Sequence, residues 1–172
     1  MKKKILILGG GYSKERSISI RSAKAIIKTI DKTYKIKFCD PCHKLFKTIE
    51  TFKPDVIFNA LHGRFGEDGY IQSIIEILGK KYTHSGVISS MSAMDKEISK
   101  KIFIKNKILT PNYIKIKNNS NINYKKIKKN LNYPVVIKPL NEGSSLDVYI
   151  CNSKSSLSIN IKKMKNYREI LV

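Results

Sequence analysis

The sequence predicts an α/β fold in which the N-terminal part forms a doubly wound parallel sheet. Two observations support this prediction. Short apolar runs alternate with segments whose apolar residues recur at helical spacing, and glycine-rich polar loops follow two of the runs. Strands that alternate with helices are joined in parallel, with helices on both faces of the sheet. Of the 172 residues, 41% are apolar and 27% are charged, which indicates a folded core rather than disorder.

Apolar spacing predicts each element of the first part. Residues 4–8 form an apolar run that ends in three glycines at 9–11, which is typical of a buried parallel strand leading into a tight turn. Further strands are expected at 34–38 and 55–61. Helices are expected at 17–30, around 45–49 and at 72–78, and Gly79 stops the last of them.

The character of the chain changes after Gly86, and a domain boundary is expected near Ala93, between domains 1–93 and 94–172. A basic helix begins at residues 94–96 and runs to about 106, followed by a strand at 113–116 and a polar linker at 117–123. A lysine-rich helix then extends to 131, a buried strand covers 135–137, another strand covers 148–151, and a helix lies near 157–164. The sequence stops inside an apolar run at 170–172, which suggests that the second domain is cut short.

Two polar loops follow strands of the predicted parallel sheet, where ligands bind in such folds. In the first loop, residues 9–17, Lys14 stands where the third glycine of a dinucleotide fingerprint belongs, and the chain contains no P-loop sequence. Glu15 in this loop either caps the following helix or holds a substrate ammonium group, and both interpretations stay open. The second loop, residues 62–69, is either a surface turn or a binding loop. Its three glycines and its position at a strand end favour binding.

Lys138 stands where the apolar run 135–137 ends. A lysine at a strand end can direct its ammonium group at an anion while its aliphatic stem packs. The small polar turn at 143–145 offers backbone N–H groups and two hydroxyls, which together can wrap phosphate oxygens. Lys96 offers a second cation. The alternative is a surface lysine beside a hairpin turn, but the combination favours a phosphate site.

The formal net charge of +21 raises the possibility of nucleic-acid or anionic-membrane binding. The alternative is drift toward lysine at tolerant surface positions. The lysines are spread along the whole chain and only four residues are arginine, so drift is favoured. No apolar run could span a bilayer or form a secretion signal. A cytoplasmic protein with no membrane partner and no specific nucleic-acid partner is therefore expected.

The segment 39–43 spells C-x-x-C-H, the pattern of covalent haem attachment. Haem of this kind is usually attached after export, but the sequence shows no export signal and no motif for a second ligand. A redox pair or a zinc site is a further alternative. A strand end followed by a proline turn explains the same residues, so no metal ligand is assigned.

Four stretches together resemble one known family: "GGGYSKERSIS", "ALHGRFGEDGYIQ", "YTHSGVISSMSAMDK" and "YPVVIKPLNEGSS". They occur in the order and spacing of the D-alanine–D-alanine ligases, which are ATP-grasp enzymes. The resemblance implies a Rossmann-like pre-ATP-grasp domain followed by the first part of an α+β ATP-grasp domain. It also implies ATP-dependent joining of two D-alanines for peptidoglycan synthesis. ATP and Mg²⁺ or Mn²⁺ would be cofactors, and the protein would be a homodimer through its N-terminal domain.

The resemblance also implies roles for individual residues. Glu15 would bind the ammonium group of the first D-alanine, and His62 would lie close to that substrate. Ser144 would link Glu15 to the active-site hydrogen bonds, so that Glu15 and Ser144 are the candidate catalytic residues. The expected nucleotide contacts are Lys96, Lys138, Gly143, Ser144 and Ser145.

Two departures from the family bear on activity. Asp147 stands where the family usually has glycine, which brings negative charge toward the phosphates and makes the loop less flexible. The family also continues past Val172 into its adenine, metal and tetrahedral-intermediate ligands, so the 172-residue chain alone is expected to be inactive. A non-catalytic remnant, a basic nucleic-acid-binding protein, and ligases that use D-lactate or D-serine remain alternatives.

Overall fold

A computed structural model describes residues 2–41, 44–117 and 122–172. The chain divides into two compact units, Met1–Ser92 and Ala93–Val172. Substrate binding by domain 1–93 and ATP binding by domain 94–172 stay predictions.

The first unit contains a four-stranded sheet. Its strands are β1 (Lys4–Leu8), β2 (Lys35–Cys39), β3 (Val56–Asn59) and β4 (Lys81–Tyr82). All neighbouring pairs are parallel, and the strand order is β2-β1-β3-β4. The helices are α1 (Arg16–Thr29), α2 (Leu45–Phe52) and α3 (Tyr70–Ile77), and a fourth, α4 (Val87–Met94), begins in this unit and ends beyond Ser92.

Helices cover both faces of this sheet because β1 is apolar on both sides. Leu6 and Leu8 pack in one cluster with residues of α2 and α3, whereas Ile7 packs with Ala23 of α1 in another. Burying each such leucine or isoleucine contributes about 1.5–3 kcal/mol. The predicted doubly wound parallel sheet is thereby confirmed.

Three features of the first unit differ from the sequence-based expectation. The third strand was expected at 55–61 but ends at Asn59. The Asn59 side chain turns the chain there, because its Nδ2 donates to the carbonyl of Gly66 at 2.8 Å and its Oδ1 accepts from the N–H of Leu61 at 3.1 Å. The strand β4 and the helix α4 were not predicted, since two residues are too few to show a period and α4 has only one buried residue, Ser90.

The second unit is built on an antiparallel sheet of order β5-β8-β6-β7. Its elements are α5 (Lys96–Lys105), β5 (Lys115–Lys117), α6 (Tyr124–Asn130), β6 (Val135–Pro139), β7 (Tyr149–Cys151), α7 (Lys154–Lys163) and β8 (Glu169–Leu171). Together with the first sheet, this mixed α/β architecture agrees with the expected α+β second domain.

The second unit departs from prediction in two places. Ile137 of β6 is fully buried, but Val136 is 43% exposed, because side chains alternate across this sheet and the core lies on one face of it. The helix expected to begin at 94–96 begins at Lys96. Met94 ends α4, and Asp95 caps α5 by accepting from the N–H groups of Glu97 and Ile98.

The C-x-x-C-H segment and the polar linker extend outside the described residues. Cys39 is buried at the end of β2, whereas Cys42 and His43 are not described, so the haem, redox and zinc interpretations of this segment are untested. Residues 118–121 of the linker are likewise outside the described part. Among the described residues, no helix has the length and apolar character needed to cross a membrane.

Candidate functional site

The glycine-rich first loop is held between α1 and the end of β3. Gly10 and Gly11 both have left-handed backbones, with φ values of +99° and +78°. The N–H of Gly10 donates to Ser19 Oγ at 2.8 Å, and the same hydroxyl donates to the carbonyl of Ala60 at 2.7 Å. Ser19 is fully buried, so one hydroxyl joins the first loop to the residue that follows β3.

An ion pair, Arg16 with Asp40, fixes the same loop from outside. Arg16 Nη2 lies 2.5 Å from Asp40 Oδ2, and Arg16 Nη1 donates to the carbonyl of Gly11 at 2.9 Å. The N–H of Gly11 donates in turn to Asp40 Oδ1 at 3.1 Å. Neither Arg16 nor Asp40 was among the predicted site residues. The position of Asp40, immediately after β2 at the carboxyl edge of a parallel sheet, was the sequence signal that could have identified it.

Glu15 is buried in this arrangement, with 4% of its surface exposed. It occupies the N-cap position of α1, but its side chain makes no capping hydrogen bond, so the capping interpretation is not the one that the structure supports. A Cβ added to Gly63 would lie 3.0 Å from Glu15 Oε1. Glycine at position 63 therefore lets the second loop approach the carboxylate closely.

His62 of the second loop is placed by groups on both sides of its ring. Its Nε2 lies 3.0 Å from Ser22 Oγ, and its Nδ1 lies 3.9 Å from Glu67 Oε1. The carbonyl of His62 accepts from Ser13 Oγ at 2.7 Å, which connects the second loop to the first. Sequence reasoning missed Ser22, because a serine inside a helix gives no signal that its hydroxyl meets a residue 40 positions away.

The two loops line one cavity of about 420 Å³ in the first unit. Its polar lining includes Ser13, His62 and Arg64, and its aromatic lining includes Tyr12 and Phe65. The rings of these two aromatic residues meet edge to face at 6.5 Å between centroids. The structure thus brings the predicted residues of the first unit, Glu15 and His62, into adjoining loops at the carboxyl edge of the sheet.

The predicted lysines of the second unit line a second cavity, of about 830 Å³. Lys138 enters it from β6 and Lys96 from the first residue of α5. Burial lowers the pKa of Lys96, and the neighbouring charge of Lys138 lowers it further. Lys100 also lines the cavity, and its pKa is lowered by the same two causes, burial first. Lys100 was not predicted. Several cations converging on one cavity are suited to an anionic ligand.

The loop after β6, residues 140–147, carries the remaining predicted residues. Lys96 Nζ donates to the carbonyls of Leu140 and Glu142, at 3.2 and 2.5 Å. Ser144 and Ser145 both have left-handed backbones, at φ +46° and +57°, although neither is glycine. Lys96 therefore holds the residues that directly precede the small polar turn 143–145, which was expected to meet phosphate.

Asp147, the residue flagged as a departure from the family, closes this loop. It has a left-handed backbone at φ +51°, which aspartate tolerates better than most residues. One oxygen of its carboxylate accepts from the hydroxyl of Tyr149 at 3.1 Å, and the other accepts from the hydroxyl of Tyr167. Both carboxylate oxygens are therefore engaged by phenol donors within the second unit.

Comparison with known proteins gives consistent results along the chain. A protein-family model described as "D-ala D-ala ligase C-terminus" matches residues 102–172. A D-alanine–D-alanine ligase of Pelagibacter ubique is 61% identical over 176 aligned positions, which cover 100% of this chain and 57% of the relative. The chain belongs to the D-alanine–D-alanine ligase family. A ligase of the same name from Wolbachia of Brugia malayi is 43% identical and is matched over 48% of its length.

Solved structures of this ligase family have the same fold. A crystal structure of the D-alanine–D-alanine ligase from Bacillus anthracis superposes with a TM-score of 0.89 at 33% sequence identity, covering 98% of this chain and 56% of that one. A second structure of the Bacillus anthracis ligase, complexed with ATP, gives a TM-score of 0.87 at 32% identity. The chain thus spans about half the length of the ligases that it matches.

Proposed function

We propose that the chain supplies the D-alanine-binding and ATP-phosphate-binding parts of an ATP-dependent D-alanine–D-alanine ligase. In this reaction the carboxylate of one D-alanine takes the γ-phosphoryl group of ATP and becomes an acyl phosphate. The amine of a second D-alanine attacks the acyl carbon, phosphate leaves, and the dipeptide enters peptidoglycan precursors. The observation that carries the proposal is the 61% identity, over the whole chain, to a protein named for this activity.

In the first unit, Glu15 is the proposed partner of the substrate ammonium group. Its carboxylate is buried beside Gly63, where little water competes, so a cation brought there interacts strongly with it. His62 is proposed to lie beside the same substrate, with its ring orientation set by Ser22. The role of this unit is positioning, because holding the reacting groups close together lowers the entropic part of the barrier.

In the second unit, Lys96 and Lys138 are the proposed phosphate ligands. Both line one cavity, and the lowered pKa of Lys96 reflects burial and the charge of Lys138, which a phosphate would offset. Gly143 and Ser145 are proposed to contact the phosphates from the loop. Ser144 is proposed to join the hydrogen bonds of the reacting groups. Phosphoryl transfer depends mainly on such positioning and charge stabilisation.

Magnesium or manganese is the proposed metal cofactor, as the resemblance to the ligases implies. Among the residues that the structure describes, no three His, Cys, Asp or Glu residues come together in a way that could hold a metal ion. The described residues therefore do not fit a metal site, and no step of the proposed mechanism is assigned to a metal held by them.

The test uses the protein as its own cell makes it, after its intact mass has been compared with 19.7 kDa. D-alanine-dependent release of phosphate from ATP is the expected activity. Glu15→Gln should raise the KM for D-alanine by about tenfold or more, because a buried charge-assisted contact is lost. Lys138→Met should raise the KM for ATP instead. Exposed residues of the same types give matched controls, Glu50→Gln and Lys129→Met, which should leave both constants unchanged.

Other outcomes of the same assay separate the alternatives. ATP binding without D-alanine-dependent phosphate release would identify a non-catalytic remnant. Faster turnover when D-lactate or D-serine replaces the second D-alanine would reassign the second substrate. DNA binding that persists at moderate salt, with no ATP binding, would support the nucleic-acid interpretation of the +21 charge.

The proposed partner beyond substrates is a second copy of the chain. Large side chains exposed on the first unit support this proposal, since such residues are enriched in interfaces. They include Phe46 at 62%, Tyr70 at 57% and Ile88 at 81% exposure. Light scattering that gives twice the monomer mass, and the monomer mass for Phe46→Lys, would support a homodimer. A monomer at all concentrations would contradict it. The cytoplasm, where ATP and D-alanine are both available, is the proposed location.

A further inference from the structure

Asp147 joins the 140–147 loop to two other parts of the second unit. Tyr149, one of its hydroxyl donors, lies in β7, and Tyr167, the other, precedes β8. The backbone N–H of Tyr167 donates to the carbonyl of Met164 at 2.9 Å, so this tyrosine is itself fixed to the end of α7. One carboxylate thus ties the loop to the sheet and to the segment after α7.

The loop needs such ties because its backbone is strained. Ser144, Ser145 and Asp147 all have left-handed backbones, which are sterically unfavourable for residues other than glycine. Inside the loop the N–H of Leu146 donates to the carbonyl of Gly143 at 3.0 Å. Contacts from outside the loop are therefore important for keeping residues 143–145 in one conformation.

The other end of the loop is held by a candidate phosphate ligand. Lys96 donates to the carbonyls of Leu140 and Glu142, which precede the turn 143–145, whereas Asp147 follows it. The small polar turn is thus fastened on both sides. On one side the contact is made by the half-buried ammonium group of Lys96, and on the other by a carboxylate with two phenol donors.

We propose that Asp147 is a positioning residue that, through Tyr149 and Tyr167, holds the turn 143–145 in the conformation that binds phosphate. This inference rests on the proposed ATP-binding function of the second unit. It differs from the expectation drawn from the sequence, in which the carboxylate brings negative charge toward the phosphates. The left-handed backbone that glycine would supply is retained, and the carboxylate is used to fasten the loop.

Two variants remove the tie in different ways. Tyr167→Phe removes one donor and keeps the ring in the core, whereas Asp147→Gly removes both contacts and keeps the left-handed backbone accessible. Both should raise the KM for ATP about fivefold to tenfold, as expected for the loss of hydrogen bonds to a charged group. The KM for D-alanine and kcat at saturating ATP should not change. Tyr124→Phe, a tyrosine of the same unit that packs against its core, is the control.

If the hydrogen bonds of Asp147 only stabilised the fold, the variants would have a lower unfolding temperature and an unchanged KM for ATP. That result would overturn the proposal. An ATP affinity that improves in Asp147→Gly would also overturn it, because the carboxylate would then be a repulsive charge. Equal rises in the KM for ATP and for D-alanine would indicate general damage and would likewise count against the inference.

ATP binding measured by calorimetry separates this inference from the proposed ligase activity. If the wild-type protein binds ATP but releases no phosphate with D-alanine, the ligase proposal fails. In that case, ATP binding that is weaker in Tyr167→Phe and unchanged in Tyr124→Phe still supports the positioning role of Asp147. If the wild-type protein does not bind ATP at all, both proposals fail. Amide exchange across residues 143–147 should be faster in Tyr167→Phe than in Tyr124→Phe, and equal rates would show that the tie does not hold the loop.

Discussion

Replacing Ser19 by alanine should destabilise the first unit strongly, although only one oxygen atom is removed. Ser19 is fully buried, and its hydroxyl accepts from the N–H of Gly10 and donates to the carbonyl of Ala60. Alanine fits the helix α1 at this position. The variant would therefore leave two buried backbone groups without the partner that they have in the native protein.

The size of the effect follows from those two groups. A buried donor or acceptor left unpaired costs about 1–3 kcal/mol, so the pair costs roughly 2–6 kcal/mol. The higher helix propensity of alanine returns about 0.5 kcal/mol. A net loss of about 3 kcal/mol is expected, which is a large share of the roughly 5–15 kcal/mol that stabilises a typical domain.

Urea unfolding followed by circular dichroism measures this loss. The midpoint of Ser19→Ala should fall while the slope of the transition stays the same, because the surface exposed on unfolding does not change. Ser17→Ala, at an exposed position of the same helix, is the control and should be neutral or slightly stabilising. A free energy of unfolding for Ser19→Ala within about 0.5 kcal/mol of the wild type would refute the assigned role of the hydroxyl.

Three further predictions concern backbone strain, ionisation and burial. Lys53 is the C-cap residue of α2 and has a left-handed backbone at φ +49°, so Lys53→Gly should raise the free energy of unfolding by about 0.5–1 kcal/mol, measured by thermal unfolding. Lys47→Gly, inside the same helix, should lower it. Lower stability in both variants would contradict the prediction. The hydrogen bond to Asp147 raises the pKa of the Tyr149 hydroxyl above its usual value of 10.0. The stability that this hydrogen bond contributes should therefore be complete below pH 10 and should be lost as the pH rises through the raised pKa. Absorbance titration against Tyr149→Phe checks this, and an ionisation at or below pH 10 would contradict it. Cys151, fully buried, should be alkylated only as the second unit unfolds, and rapid labelling in native buffer would show that this part of the core opens.

Local patterns in the sequence determined most of the secondary structure and the positions of the polar loops. The run at 4–8 and the helical spacing of 17–30 are signals within a single element, and the structure has β1 at Lys4–Leu8 and α1 at Arg16–Thr29. The placement of Lys138 at the end of β6 follows from the apolar run before it. These predictions succeeded because apolar periodicity reports which face of one element is buried.

Only the tertiary structure decided which distant residues meet at the loops. Ser22 is 40 positions from His62, and the tyrosine at 167 is 20 positions from Asp147. Contacts of this kind depend on strand order and register, which no local period encodes. The sequence alone showed that aspartate occupies position 147, and its chemistry suggested a charge facing phosphate. The fold turned the same carboxylate toward two phenol donors, because β7 and the segment before β8 bring their hydroxyls to it.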